Sequence, residues 1–318
     1  MQPLALIGID EPLRSEVASR LHSATICSVA DASLVAVLGP LSDEELFHGA
    51  ISGQTWLLTV EHCRSQSAFL DLLAGVCRKQ ISFTLANPER FRPSRQLVRQ
   101  QVESGKLGQP VLARSHRWLA STSHDFCTNE LPIAFVQDLD VTMWLMGSRP
   151  KTVFAISTDT HSPGPCGLED SLRIGNPPTH EGSGYEASDN IGSGNGGGAA
   201  TCVVHCGFVN EGMAQWDFSL RPSSAELYES LTILGSLGAA YSDDHTNRQL
   251  RFRGDRAEAF GSDEGCRALA NLLQQFIDDS LAKTDLATSI QDWCDALKLS
   301  ELIRKSLDTR QAVGWEDC

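Results

Sequence analysis

The chain has 318 residues and a formal net charge of −14, from 26 lysines and arginines against 40 aspartates and glutamates. This charge repels phosphate backbones and anionic membrane surfaces, so we expect neither a nucleic-acid nor a membrane partner. No apolar run approaches the roughly 18 residues that a membrane-spanning helix needs, and the first residues do not resemble a signal peptide. These features predict a cytoplasmic protein whose ten cysteines are reduced.

Short apolar runs alternate with amphipathic stretches over the first 90 residues, a pattern typical of parallel strands joined by helices. We predict strands over 3–9, 33–38, 56–61 and 81–85 and helices over 11–21, 42–52 and 65–79. The run 25–29 also has strand character, but it lies too close to 33–38 for the crossover that joins parallel neighbours. Either this run is not a strand, or the domain has lost a helix and strand unit.

The rest of the chain predicts a second α/β domain. We expect helices over 93–104 and 131–146, two closing helices after 263, and strands over 111–119, 152–157, 200–209, 213–220, 227–234 and 249–253. This spacing indicates an open, mainly antiparallel sheet. Glycine, serine, proline and asparagine dominate 159–198, which predicts a flexible insertion, and its GSGNGGG run lacks the Lys-Ser/Thr ending of a phosphate loop. The predicted domains are 1–88 and 89–318.

Four segments stand in a specific order along the chain. They are the strand WLLTVEHC at 56–63, NPERFRP at 87–93, SGKLGQPV at 104–111 and QDLDVTMWLMG at 137–147. This order resembles the Gfo/Idh/MocA family of glucose-fructose oxidoreductases and inositol dehydrogenases. In that family a strand ends in Glu-Lys-Pro, and an Arg-Phe-x-Pro segment, a Ser-Gly-x-Leu-Gly-x-Pro turn and a His-x-x-Asp helix ending in Trp-Leu-x-Gly follow.

The resemblance implies a reduced Rossmann-like domain that carries NAD or NADP, and a second domain that binds a sugar or polyol. It also implies a homo-oligomer built through the C-terminal sheet, and hydride transfer at a carbinol carbon assisted by a lysine and a histidine. Placed on this sequence, it assigns cofactor-binding positions to Gly8, Asp10, Asp31, Glu61 and Arg90. It assigns catalytic positions to His62, Gln137 and Asp140.

The cofactor positions depart from the dinucleotide fingerprint Gly-x-Gly-x-x-Gly, which lets the backbone approach the pyrophosphate at a helix N-terminus. Only Gly8 is kept. Asp10 is placed to cap the first helix and Pro12 suits its first turn, so we expect the amide donors to be satisfied internally. Asp31 follows Gly8 by about 20 residues, as a ribose-binding acid would, but an ordinary turn aspartate explains it equally well.

The catalytic positions depart as well. Glu61, His62 and Cys63 stand where the family has Glu-Lys-Pro. A histidine can transfer a proton near neutral pH, but it does not supply the fixed positive charge of a lysine. Gln137 replaces the family's histidine and can only hydrogen-bond a hydroxyl. Asp140 matches the family's second acid and either holds a substrate hydroxyl or caps and solvates its helix.

One further cluster was considered as a metal site. Cys202, His205 and Cys206 share a predicted strand. Strand alternation places the two cysteines on one face and the histidine on the other, so one metal ion cannot be held by all three. We therefore predict buried thiols and no metal site.

Three functions are compatible with these observations. The favoured one is a degenerate family homologue that lacks ordinary dehydrogenase chemistry and serves as a ligand-binding or subunit scaffold. The second is an active NAD(P)-dependent oxidoreductase on a sugar or polyol, with an atypical site that uses His62 and Asp140. The third is a partner subunit that forms a hetero-oligomer with an active family member.

Overall fold

The structure is a computed structural model. It describes residues 1–38, 53–60, 82–121, 131–158, 200–222, 228–243, 249–253, 256–260, 264–282 and 290–317, together with the single positions 71, 74, 75 and 78. The predicted helices 42–52 and 65–79 and the predicted insertion 159–198 fall almost entirely outside the described residues.

The first sheet is parallel throughout and has the strand order β2-β1-β3-β4-β5. Its strands are β1 (Gln2–Ile7), β2 (Ala24–Ile26), β3 (Leu34–Val37), β4 (Thr55–Thr59) and β5 (Ser82–Ala86). Helix α1 (Glu11–Ser19) connects β1 to β2. The prediction of a Rossmann-like α/β sheet is confirmed.

The two adjacent runs that the sequence left unresolved are both strands, but they are not neighbours. They lie on opposite sides of β1, where Leu4 pairs with Ile26 of β2 and also with Leu34 of β3. Ile26 is the last residue of β2 and Leu34 the first residue of β3, and both are level with Leu4 of β1. The seven residues between them are therefore enough to cross from one side of β1 to the other. The usual doubly wound order is 3-2-1-4-5-6, so this sheet lacks the third strand and its helix.

The second sheet has seven strands in the order β11-β10-β6-β9-β8-β7-β14. They are β6 (Pro110–Ser121), β7 (Pro150–Ser157), β8 (Ala200–Phe208), β9 (Met213–Pro222), β10 (Tyr228–Gly235), β11 (Ala239–Asp243) and β14 (Val313–Gly314). Only β6 and β9 pair in parallel, so the prediction of a mainly antiparallel sheet is confirmed. Strands β12 (Gln249–Arg253) and β13 (Arg256–Phe260) form a separate ladder.

Four further helices complete the described fold. Helix α2 (Pro93–Glu103) precedes β6, and α3 (Ile133–Met146) ends at Gly147 in the left-handed conformation. Helix α3 is buried almost all round, between the second sheet and α5 (Ile290–Thr309). None of the helices in the described part of the chain combines the length and hydropathy of a membrane-spanning segment.

Helix α4 (Glu264–Ala282) packs on the first sheet although it lies near the end of the chain. Its buried residues Leu272, Phe276 and Ile277 share one core with Leu4 of β1 and Leu34 of β3. The apolar stripe that the sequence places on this helix therefore covers one face of the N-terminal sheet. The predicted division of the chain at residue 88 stays a prediction.

Candidate functional site

The first predicted cofactor positions lie at the turn between β1 and α1. Gly8 has φ +80°, a left-handed conformation that glycine adopts without strain. Asp10 is the N-cap of α1, and its side chain accepts a hydrogen bond from the Leu13 N–H at 3.1 Å. The predicted capping role of Asp10 is confirmed.

This cap changes what the helix N-terminus can bind. An anion site at a helix start needs free N–H groups of the first turn. In α1, Pro12 has no N–H, Leu13 donates to the Asp10 side chain, and Arg14 donates to the Asp10 carbonyl at 2.9 Å. Glu11 adds a second carboxylate to the same turn. The residues present therefore do not fit a pyrophosphate in the ordinary dinucleotide pose.

Three other predicted positions belong to other segments of the chain. Asp31 is exposed and stands in a short 3-10 turn after β2, where its carboxylate accepts a hydrogen bond from the Ser28 hydroxyl at 2.6 Å. Glu61 and His62 follow β4 directly, but both lie outside the described residues. The structure thus places neither of them relative to the other candidates.

Arg90 and Asp140 are brought together in a fully buried pair. The Arg90 guanidinium donates to both Asp140 oxygens, with 2.8 Å from Nε to Oδ2, and a further nitrogen donates to Asp292 at 3.0 Å. Arg90 is 2% exposed and Asp140 0%. Burial by itself lowers the pKa of the Arg90 guanidinium, but Asp140 and Asp292 outweigh that effect and raise it.

Asn87 completes this pair at the end of β5. Its amide nitrogen donates to Asp140 at 2.7 Å and to the backbone carbonyl of Gln137 at 3.0 Å, while its oxygen caps the 3-10 turn 88–91. Both Asp140 oxygens are therefore engaged. Asp140 neither caps nor solvates its helix, because it is buried in the middle of α3, where its carboxylate accepts from Arg90 and Asn87. Together with Arg90 and Trp144 it contributes to the lining of a cavity of about 310 Å³.

Among the predicted catalytic positions that the structure describes, Gln137 has a side chain that is available to hydrogen-bond a ligand. Its side chain is 7% exposed, and its amide has no hydrogen-bond partner among the residues that the structure describes. An amide can donate to and accept from a hydroxyl, but it does not exchange a proton at neutral pH. Gln137 can therefore bind a polyol hydroxyl without acting as an acid or a base.

A second buried ionic cluster lies beside the first. Arg117 on β6 binds Asp138 on α3 through two hydrogen bonds of 2.8 and 2.7 Å. Glu229 on β10 pairs with Arg117 at 2.9 Å, with Arg92 at 2.6 Å and with Arg95 at 2.5 Å. Burial alone raises the pKa of Glu229, but Arg117, Arg95 and Arg92 together lower it to about 2.

Sequence reasoning missed Asn87, Asp138 and the cluster around Glu229. One signal was available, because α3 is apolar almost all round and yet carries two aspartates. A buried aspartate is nearly always paired, so both positions required cationic partners. The partners themselves lie 21 to 50 residues away in sequence, and no local pattern identifies them.

The cluster of Cys202, His205 and Cys206 is arranged as predicted. Both cysteines are buried on the inner face of β8, and His205 is exposed on the outer face. Burial raises the pKa of the Cys206 thiol to about 12, so it stays protonated. A search of the described residues finds no group of three or more side chains that could hold a metal ion.

Comparison with solved structures shows what this fold is similar to. Scyllo-inositol dehydrogenase from Lactobacillus casei with bound NAD(H) and scyllo-inositol superposes with a TM-score of 0.65 at 12% identity, over 99% of both chains. Myo-inositol dehydrogenase from the same organism, in complex with NAD(H) and myo-inositol, gives 0.62 at 10%, over 99% of this chain and 96% of that one. Myo-inositol dehydrogenase from Corynebacterium glutamicum gives 0.63 at 13%, over 99% and 98%.

The chain therefore has the fold of the inositol dehydrogenases over nearly its whole length. At the level of the fold, the resemblance read from the sequence is confirmed. No protein-family model and no curated protein matches the sequence.

Proposed function

We propose that this protein is a divergent Gfo/Idh/MocA homologue that binds a sugar or polyol and lacks ordinary NAD(P)-dependent dehydrogenase chemistry. The observation that carries the proposal is the self-capped start of α1, where Asp10 and Pro12 remove the donors that a pyrophosphate needs. Two further observations support it. The Asp140 carboxylate accepts hydrogen bonds from Arg90 and Asn87, and the Gln137 amide cannot exchange a proton at neutral pH. Gln137 is the group we assign to a ligand hydroxyl.

Electrostatic repulsion, in addition to the missing N–H donors, disfavours a pyrophosphate at this turn. A phosphate about 5 Å from a carboxylate, at an effective dielectric constant near 20, is disfavoured by about 3 kcal/mol, or roughly two orders of magnitude in affinity. Asp10 and Glu11 each contribute such a repulsion. Two of the solved neighbours hold NAD(H), so NAD is the dinucleotide that the resemblance implies, and the two carboxylates at this turn disfavour its pyrophosphate.

Titration with NADH and NADPH tests the proposal directly. We expect no saturable binding below 1 mM, measured by cofactor fluorescence and by calorimetry. The double variant Asp10→Gly, Glu11→Gln removes both carboxylates and frees the Leu13 N–H, so it should bind NADH at least tenfold more tightly than the parent chain. The matched double variant Glu103→Gln, Asp308→Asn, which removes two exposed carboxylates from α2 and α5, should not.

Micromolar binding by the parent chain would refute the proposal and favour the second candidate, an active oxidoreductase. Its atypical site would use His62, and its next test is loss of polyol turnover in His62→Ala. Asp140 already accepts hydrogen bonds from Arg90 and Asn87, and this pairing argues against a role in which it holds the substrate.

We also propose that the protein forms a homo-oligomer through the outer face of its seven-stranded sheet. Large apolar side chains are exposed there: Phe154 at 36%, Ile156 at 52%, Met213 at 54% and Tyr241 at 71%. Light scattering after size exclusion should give twice 34.5 kDa or a higher integer multiple of it. A monomer at all concentrations would leave the partner-subunit hypothesis, in which an active homologue covers this face.

A further inference from the structure

Asn87 connects the end of β5, in the first sheet, to the second turn of α3. Its side chain is 0% exposed, and both ends of its amide form hydrogen bonds. The nitrogen donates to the Gln137 carbonyl at 3.0 Å and to the Asp140 carboxylate at 2.7 Å. The oxygen accepts from the Glu89 N–H at 3.1 Å. One of these bonds therefore ends on the backbone of Gln137, 50 residues later in the chain.

The partners of Asn87 require an amide at this position. The two groups that face its nitrogen are acceptors and the group that faces its oxygen is a donor, so one orientation of the amide satisfies all three. An aspartate here would bring a second carboxylate against Asp140, and an aliphatic side chain would lose the contact with α3. The groups on α3, as well as the turn that follows β5, thus determine which residue type position 87 needs.

The hydrogen bond to the Gln137 carbonyl fixes the point from which the Gln137 side chain projects. A helical side chain leaves the backbone in a direction that the position and rotation of its helix determine. The Gln137 side chain is 7% exposed, so close packing leaves it little room to recover its place through another rotamer if α3 moves. A displacement of α3 at this residue therefore displaces the Gln137 amide as well.

We propose that Asn87 is a positioning residue for the ligand site at Gln137. The inference rests on the proposed function, in which the Gln137 amide hydrogen-bonds a polyol hydroxyl. Asn87 does not contact the ligand itself, because its side chain is 0% exposed and its amide is bound to the chain at both ends. It holds α3 at the distance from β5 at which Gln137 meets that hydroxyl.

Removal of the Asn87 amide leaves its partners with other hydrogen bonds. Asp140 keeps those from the Arg90 guanidinium, so the two charges of this pair stay matched. The Gln137 carbonyl stays within α3, where it accepts from the N–H four residues later. We therefore expect Asn87→Ala to fold with a lowered melting temperature and to lose the fixed distance between β5 and α3.

Calorimetric titration of the full chain with myo-inositol, which one of the solved neighbours holds, tests this role. Gln137→Ala should weaken myo-inositol binding about tenfold, through the loss of one hydrogen bond. Asn87→Ala should weaken it about fivefold in the parent chain but less than about twofold in the Gln137→Ala background, because the position of an absent side chain does not affect binding. The melting temperature should fall equally in both backgrounds.

Ser306→Ala is the matched control for lost stability. Ser306 on α5 is also 0% exposed, and its hydroxyl accepts from the Ala155 N–H at 2.9 Å and donates to the Gln311 carbonyl at 2.6 Å. Its removal should lower the melting temperature and leave the myo-inositol affinity within about twofold of the parent chain.

Asn87→Ser gives a second variant of the same residue. A serine hydroxyl can still accept from the Glu89 N–H and support the turn after β5, but it is too short to reach the Gln137 carbonyl. We expect this variant to keep more of the melting temperature than Asn87→Ala and to weaken myo-inositol binding equally.

Two outcomes would overturn the proposal. One is equal weakening by Asn87→Ala in the parent chain and in the Gln137→Ala background, because the two residues would then act independently. The other is an Asn87→Ala or Asn87→Ser variant with a lowered melting temperature and an unchanged affinity, which would make Asn87 structural only. In both cases the parent chain binds myo-inositol, whereas failure of the proposed function appears as a parent chain that binds no polyol, so the two failures are distinguishable.

Discussion

Asp140→Ala is expected to lower the free energy of unfolding by about 3–5 kcal/mol, because removing one partner of a buried ion pair leaves the other charge unpaired in the interior. Arg90, at 2% exposure, would lose its buried anionic partner and keep the half-exposed Asp292. Asn87 would also lose an acceptor. Urea denaturation followed by circular dichroism measures the change.

The matched control is Glu103→Ala on α2. Glu103 also pairs with an arginine, Arg99 at 2.6 Å, but its side chain is 60% exposed. Exposed pairs of this kind contribute about 0.3–0.5 kcal/mol. A cost below about 1 kcal/mol for Asp140→Ala would contradict the structural role of Asp140, and the oxidoreductase hypothesis, in which Asp140 serves the substrate, would gain support.

Glu229 should make the fold sensitive to acid. Its pKa is lowered from 4.5 to about 2 in the folded state, so its carboxylate stabilises the protein above pH 4.5, and this contribution is lost as the pH falls from 4.5 towards 2. The shift corresponds to about 3 kcal/mol. Because Arg92, Arg95 and Arg117 all pair with this carboxylate, Glu229→Gln should lose a comparable amount at neutral pH.

The difference in unfolding free energy between Glu229→Gln and the parent chain reports on the Glu229 carboxylate and not on the other carboxylates. That difference in unfolding free energy should be largest at pH 6–7 and should shrink between pH 4.5 and 2, as Glu229 becomes protonated in the parent. Glu103→Gln serves as the exposed control and should differ from the parent by less than about 0.5 kcal/mol throughout. A difference for Glu229→Gln that stays constant from pH 7 to pH 2 would contradict the assignment.

The fold was largely predictable because the strands of both sheets show recognisable hydrophobic patterns in the sequence. Continuous apolar runs mark the buried parallel strands β1, β3 and β4, and alternation marks β8, where every second residue is buried. The short strands β11, β13 and β14 were missed. Strand β14 has two residues, too few for a period to appear, and it pairs with β7, about 160 residues earlier in the chain.

In the candidate site, only the contacts between residues close together in sequence could be predicted. The cap formed by Asp10 depends on a contact three residues away, which the sequence displays directly. The environment of Asp140 depends on Asn87 and Arg90, some 50 residues earlier, and on how β5 and α3 meet. Because α3 is buried on nearly all sides, Asp140 forms one half of an internal ion pair, which the local sequence does not display.

The position of α4 has a consequence for folding during synthesis. Leu4, Leu6 and Leu34 present apolar surface that α4 covers, yet β3 ends at residue 37 and α4 ends at residue 282. At 5–20 residues per second, the roughly 245 intervening residues take about 12–50 s to synthesise. Throughout that interval the N-terminal strands lack the helix that buries this part of their apolar surface in the folded protein.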